Sequence, residues 1–258
     1  MDSKSLFSRL FNNKDISKKI VIFVNEIKNE YSLEGSVNVY LTEKYSIKNG
    51  FFEPNDNDFI VRIGTKESRE HNKLSKSEWI TLKNTIVHEL THVKNRLEMT
   101  QDTREKLNNN MYSLAHFAMM LVDEYNAYKT ADDRFKQFSM GSEESELQIT
   151  LQLFWDNKRF KQVNKLDANR RFNHLYDACT AIIVHSIRNR KFPSISEMYS
   201  GYNNMCVRIM EVLGLYNSRM PLDYATYEEV GKELWIALLI MVPQDSIRNF
   251  KKNVGIRL

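Results

Sequence analysis

The sequence predicts an α+β protein that is mostly helical, with a small β-sheet early in the chain and helices from there on. Three observations carry this. Glycine and proline are sparse, 8 and 4 residues in 258, so breaks are few and helices long. Strand-type alternation is confined to two short stretches, near residues 37 and 59. Elsewhere apolar residues recur at close to the helical period of 3.6.

The elements follow in order. Residues 14–32 form an amphipathic helix with Ile16, Ile20, Phe23, Val24 and Ile27 on one face. Gly35 closes the linker to a first strand, in which Val37, Val39 and Leu41 alternate with Asn38 and Tyr40. The segment with Asn49-Gly50 and Pro54-Asn55 reads as a polar loop. A second strand, Phe59-Ile60-Val61-Arg62-Ile63, ends at Gly64.

A long helix begins at Ser75-Lys76-Ser77-Glu78. Ser75 is placed as N-cap and Glu78 at N3, with Leu74 and Trp79 at the hydrophobic-staple positions. Leu82, Ile86, Val87, Leu90, Val93 and Leu97 continue it without Gly or Pro. Asp102-Thr103-Arg104-Glu105 is expected to cap one further helix running to about Phe135. Gly141-Ser142-Glu143-Glu144 marks a break, which divides the chain into an expected core, 1–140, and a helical C-terminal subdomain, 141–258. Helices are expected at about 144–158, 165–190, 195–214 and 226–242, with Pro193 and Pro221 at junctions. Leu175, Ala178, Cys179, Ile182, Ile183 and Ile187 form one buried stripe.

The chemistry sits on the helix that begins at Ser75, in His88-Glu89-Leu90-Thr91-His92. Two histidines four apart project from the same helical face, so both imidazoles can reach one ion. Glu89 flanks that face and can take a proton from a water activated by the metal. Histidine is scarce, 6 residues in the chain. A chance match at this composition would arise in about one chain in a hundred. The flanks Thr85-Ile86-Val87 and Leu90, Thr91 and Val93 are uncharged, and the first charge after the motif is Lys94.

This pattern resembles the zincin family of zinc metallopeptidases, whose signature is HExxH in an apolar helix. The resemblance covers roughly residues 36–135. It implies one Zn²⁺ per chain, three protein ligands, an open position for water, and Glu89 as the catalytic base acting on a peptide bond. Glu124 is the preferred third ligand beside His88 and His92. It flanks the stripe Met111, Leu114, Ala118, Leu121, Tyr125 and Tyr128, and a carboxylate near a core needs a compensating partner. Its Glu-x-x-Ala context, ending at Ala127, is similar to the third-ligand helix of the gluzincin branch. Glu98 is the alternative, because His88, His92, Asn95 and Glu98 follow the metzincin spacing with Asn in place of Gly.

Some gluzincins place an Asp four residues after the ligand Glu. Here that position is Tyr128, which leaves Asp123 or Asp132 for the supporting role. His116, His174, His185, Tyr125 and Tyr128 are the candidates for a transition-state donor. In zincins an edge strand pairs with the extended substrate backbone. Phe59, Ile60, Val61, Arg62 and Ile63 are the candidate substrate-binding residues on that resemblance.

Composition narrows the alternatives. Apolar content of 42% and charged content of 27% are ordinary for a folded chain. Net charge is +4, too small to argue nucleic-acid binding by itself. Basic residues cluster at Lys158, Arg159, Lys161, Lys165, Arg170 and Arg171 among Trp155, Phe160 and Phe172, and again at Arg188, Arg190 and Lys191. Asp156 and Asp167 interrupt the first cluster, which favours a solvated helix face over a nucleic-acid surface. Cys179 and Cys206 do not make a disulfide framework. Residues Met1 to Phe7 lack an apolar run, and Leu234 to Val242 is too short to span a bilayer. The expectation is a cytoplasmic peptidase with a peptide or protein substrate and no membrane partner. The competing readings are a non-catalytic zincin-like binding protein and a helical nucleic-acid-binding protein.

Overall fold

The structure is a computed structural model that describes residues 3–33, 35–55, 58–67, 74–136, 168–189, 202–240, 242, 244, 247–254 and 256–257. The fold is α+β and mostly helical, with one small sheet. Helix α1 spans Ser3–Glu30, followed by strands β1 (Val37–Thr42), β2 (Gly50–Asn55) and β3 (Asp58–Gly64). Then come α2 (Lys76–Glu98), α3 (Gln101–Asn109), α4 (Leu114–Arg134), α5 (Ala168–Asn189), α6 (Tyr202–Asn217), α7 (Tyr224–Leu239) and α8 (Ile247–Asn253). The expected break at Gly141–Glu144, the expected helix 144–158 and Pro193 lie outside the described residues.

The described residues fall into two compact units. One is Met1–Leu97 with Lys129–Gln137, and the other is Glu98–Tyr128 with Phe138–Leu258. Helix α4 is continuous through both memberships, with its last turns counted in the first unit.

The first unit packs α1, α2 and the sheet around one core. Ile20, Phe23, Val24 and Ile27 of α1, Val37 of β1, Phe59, Val61 and Ile63 of β3, and Leu82, Ile86, Val87, Leu90 and Val93 of α2 are all buried in it. The alternation anticipated for β1 and β3 is what puts these residues on one sheet face. Tyr40, Arg62 and Phe51 lie on the other face, with Arg62 paired to Glu53.

Strand order is β1-β3-β2. β1 runs parallel to β3 with Val37 opposite Phe59, and β2 runs antiparallel to it with Gly50 opposite Ile63. This corrects two expectations. Residues 50–55 form a strand, not a loop. Phe59–Ile63 is the central strand, hydrogen-bonded on both sides, so its backbone has no edge left for a substrate. β1 and β2 are the two edges, and Pro54 of β2, which has no N–H to donate, is tolerated on an edge strand.

α2 starts as its capping box dictates. The Ser75 side-chain oxygen accepts from Glu78 N–H at 3.2 Å, and Ser75 N–H donates to the Glu78 carboxylate at 2.7 Å. Leu74 and Trp79 both pack against the first unit's core, as a staple requires. Thr85 Oγ1 donates to the Ile47 carbonyl at 2.8 Å and ties α2 to the loop before β2. Asn84 Nδ2 donates to the Phe135 carbonyl at 2.9 Å.

The single helix expected from Asp102 to Phe135 is two helices. Thr100, not Asp102, caps α3, accepting from Thr103 N–H. The run Asn108-Asn109-Asn110 ends α3, Tyr112 takes a left-handed φ of 65°, and the Ser113 hydroxyl accepts from His116 N–H as α4 begins.

The second unit is a helical core that includes Phe117, Leu121, Phe172, Leu175, Ala178, Cys179, Ile182, Ile183, Leu213, Tyr227 and Leu238. Asp223 caps α7 by accepting from Thr226 N–H at 2.7 Å. Pro221 lies between α6 and α7, the junction expected for it. No helix among the described residues is long and apolar enough to cross a membrane.

Candidate metal centre

α2 carries the motif within its buried stretch. His88, Glu89 and His92 are all buried. Thr91 Oγ1 donates back to the Val87 carbonyl at 2.7 Å within this buried turn. The two rings meet edge to face, with centroids 4.6 Å apart. Their Nε2 atoms face each other at 3.0 Å. Two neutral imidazoles in that arrangement either share one proton or aim both lone pairs at a common cation.

Glu124 comes from α4. Nitrogens of His88 and His92 and a carboxylate oxygen of Glu124 all lie within 4.8 Å of one another, so this group can hold a metal ion. Two nitrogens about 2.05 Å from one zinc lie about 3.4 Å apart, close to the 3.0 Å between the two Nε2 atoms. Two neutral imidazoles and one carboxylate leave a dication with net positive charge, so it remains a Lewis acid.

The sequence alternative is not assembled in the same way. Asn95 is buried within α2, and the helix runs straight through it to Glu98, so the turn needed to return Glu98 to the histidines is not made. Glu98 is an exposed residue at the end of α2.

Four neighbours were not anticipated from the sequence. Phe52 of β2 stacks on His92 with centroids 5.4 Å apart and planes 14° from parallel. Arg96, one helical turn on from His92, lies 6.0 Å from the centre of the Phe52 ring. The backbone of Gly50 abuts Glu89 so closely that a Cβ there would overlap the Glu89 side chain. The fourth is Tyr176 of α5, whose hydroxyl donates to Glu124 Oε1 at 2.5 Å. Burial pushes the Tyr176 phenol well above its usual range, and the adjacent Glu124 carboxylate adds to the rise. Tyr176 therefore stays a protonated donor at neutral pH.

The donor candidates named from sequence make these contacts. His116 stacks on Phe172, and its Nδ1 faces Tyr112 N–H at 3.4 Å. Tyr128 carries Arg188 at 5.6 Å over its ring. The Tyr125 hydroxyl lies against Gly214. His185 is buried, as are Asp123 and Asp132. Of the basic clusters, only Arg170, Arg171 and Arg188 are among the described residues, and Phe172 is buried in the second unit's core, away from any stacking role on a surface. No protein-family model, no curated protein and no solved structure matches the chain.

Proposed function

We propose that the protein is a zinc-dependent peptidase of the zincin type, with one zinc per chain held by His88, His92 and Glu124. The observation that carries this reading is the convergence of those three donors beside Glu89, a carboxylate on the same buried helical turn as His88. A fold-stabilising metal site needs the donors but not the adjacent acid.

Zinc held there supplies a Lewis acid that lowers the pKa of a water to about 7 and polarises a carbonyl oxygen. Glu89 takes the proton from the attacking water. The water oxygen bonds to the carbonyl carbon, the C–N bond breaks, and Glu89 passes the proton to the leaving nitrogen. Gly50 backs the Glu89 side chain, and Phe52 fixes the plane of His92. The substrate is a peptide or protein in extended form. The outer edge of β2, next to Glu89, supplies backbone groups for it to pair with by strand addition. The setting we infer is the cytoplasm, in keeping with two buried cysteine thiols.

The test is elemental analysis of purified protein followed by Glu89→Gln. One zinc per chain, retained in Glu89→Gln while cleavage of a peptide library falls about 10²–10⁴-fold, is expected. Wild-type protein that stays metal-free after zinc is resupplied sinks the proposal. So does a Glu89→Gln variant that cleaves at the wild-type rate.

A further inference from the structure

We propose that Tyr176 is a positioning residue that keeps Glu124 a one-oxygen ligand, so that a coordination place stays open for water. The inference rests on the zinc-site reading above and concerns a residue outside the motif.

The geometry is specific. Tyr176 lies on α5, 52 positions from Glu124 in sequence, and its hydroxyl donates to Oε1 and not to a backbone group. A carboxylate has two oxygens and about four lone-pair sites, and it can bind a cation through one oxygen or both. An O–H fixed on Oε1 does two things. It draws electron density from that oxygen, which makes Oε2 the stronger donor. It also resists the rotation about the terminal torsion that would turn both oxygens toward the same ion. Two histidines and one carboxylate oxygen make three ligands and leave a fourth, open position. Two histidines and both oxygens would fill it.

The support for Tyr176 is rigid. α5 is anchored in the second unit's core by Phe172, Leu175, Ala178, Cys179, Ile182 and Ile183, and Tyr176 itself packs against that cluster. The hydroxyl is thus presented from a packed helix and needs no loop to order before it can act.

The experiment is Co²⁺ titration of the full-length, metal-free chain, with affinity measured against a chelator and visible absorption read at saturation. Wild type, Tyr176→Phe, Glu124→Ala and the double variant are compared, and melting of each metal-free form reports folding. Wild type should bind one Co²⁺ with the intense visible bands of a four-coordinate site. Tyr176→Phe should bind about 10- to 100-fold more weakly, with weaker bands, because a two-oxygen carboxylate raises the coordination number. Adding Tyr176→Phe to Glu124→Ala should change nothing further, since the hydroxyl acts through Glu124. A general loss of stability would persist in that background and so overturn the proposal. Equal affinity and an unchanged spectrum in Tyr176→Phe also overturn it while leaving the metal site standing. Failure of wild type to bind Co²⁺ removes both.

Discussion

Gly50 and Glu89 touch so closely that a methyl group on Gly50 would overlap the Glu89 Cγ and lie 2.6 Å from its Cδ. The strand at the sheet edge is therefore the wall against which the candidate base rests. Only glycine leaves room for the carboxylate where it stands. Gly50→Ala is expected to leave metal content unchanged and to lower turnover about 10- to 100-fold, the scale of an ångström misplacement of a reacting group. Parallel assays of zinc content and peptide cleavage check this. Undiminished cleavage would mean that Glu89 does not work from the position it occupies here.

Phe52 gives a second, separable test of the same wall. Its ring stacks on His92, so Phe52→Ala removes a side contact from a proposed ligand and not from the proposed base. The expected result is weaker metal retention against a chelator, with turnover per bound metal largely kept. A fall in turnover at full metal occupancy would place Phe52 in contact with substrate instead.

What was legible in the sequence follows from the range of each interaction. The capping box at Ser75 and Glu78 and the spacing of His88, Glu89 and His92 are decided within one or two turns, and all appear as the residues dictate. β2 was hidden because Phe51 and Phe52 are adjacent aromatics that break the alternation, and Pro54 argues against a strand. The pairing that makes this segment a strand comes from β3, and once β2 is present β3 cannot be the edge. The division between α3 and α4 escaped because Asn108 to Asn110 are weak helix formers, not breakers, and the left-handed Tyr112 has no local signature. Tyr176 was out of reach for another reason. Its one functional atom is defined only by a partner on a different helix.

Glu67 sets the acid limit of the loop that precedes β2. Burial opposes its charge, but hydrogen bonds from the Ser46 hydroxyl at 2.5 Å and Ile47 N–H at 2.8 Å win and hold its carboxyl below the ordinary value of 4.5. A depressed folded-state pKa means the stabilisation is present above the unfolded value and disappears as pH falls through the folded one. Glu67→Gln should therefore lower the melting temperature at pH 7. The effect should be small, about 0.5 kcal/mol once solvent screening is discounted. The two melting curves should converge below pH 4.5. A gap that persists undiminished in acid would show that the hydrogen bonds, not the charge, carry the effect.

Cys179 and Cys206 are buried in the second unit's core, and burial pushes the Cys179 thiol far above its usual range. The thiolate is the reactive form, so neither cysteine should react with a disulfide reagent at pH 8 in the folded protein. Both should react once the chain is unfolded. Fast labelling of the native protein would mean that α5 and α6 open readily.

The choice of third ligand rests on Glu124 against Glu98, and their settings predict opposite results. Glu124 shares a 4.8 Å sphere with both histidines and is held by Tyr176, whereas Glu98 is exposed at the end of an unbroken α2. Glu124→Ala should abolish zinc retention after dialysis, because two imidazoles alone make an incomplete site. The melting temperature of the metal-free form should move little, since Glu124 is only half-buried and Ala is the best helix former. Glu98→Ala should keep its zinc. Elemental analysis of the two variants beside wild type separates the cases in one experiment. Zinc lost from Glu98→Ala and kept in Glu124→Ala would require α2 to bend at Asn95 when the metal binds, and the candidate site would have to be rebuilt around that bend.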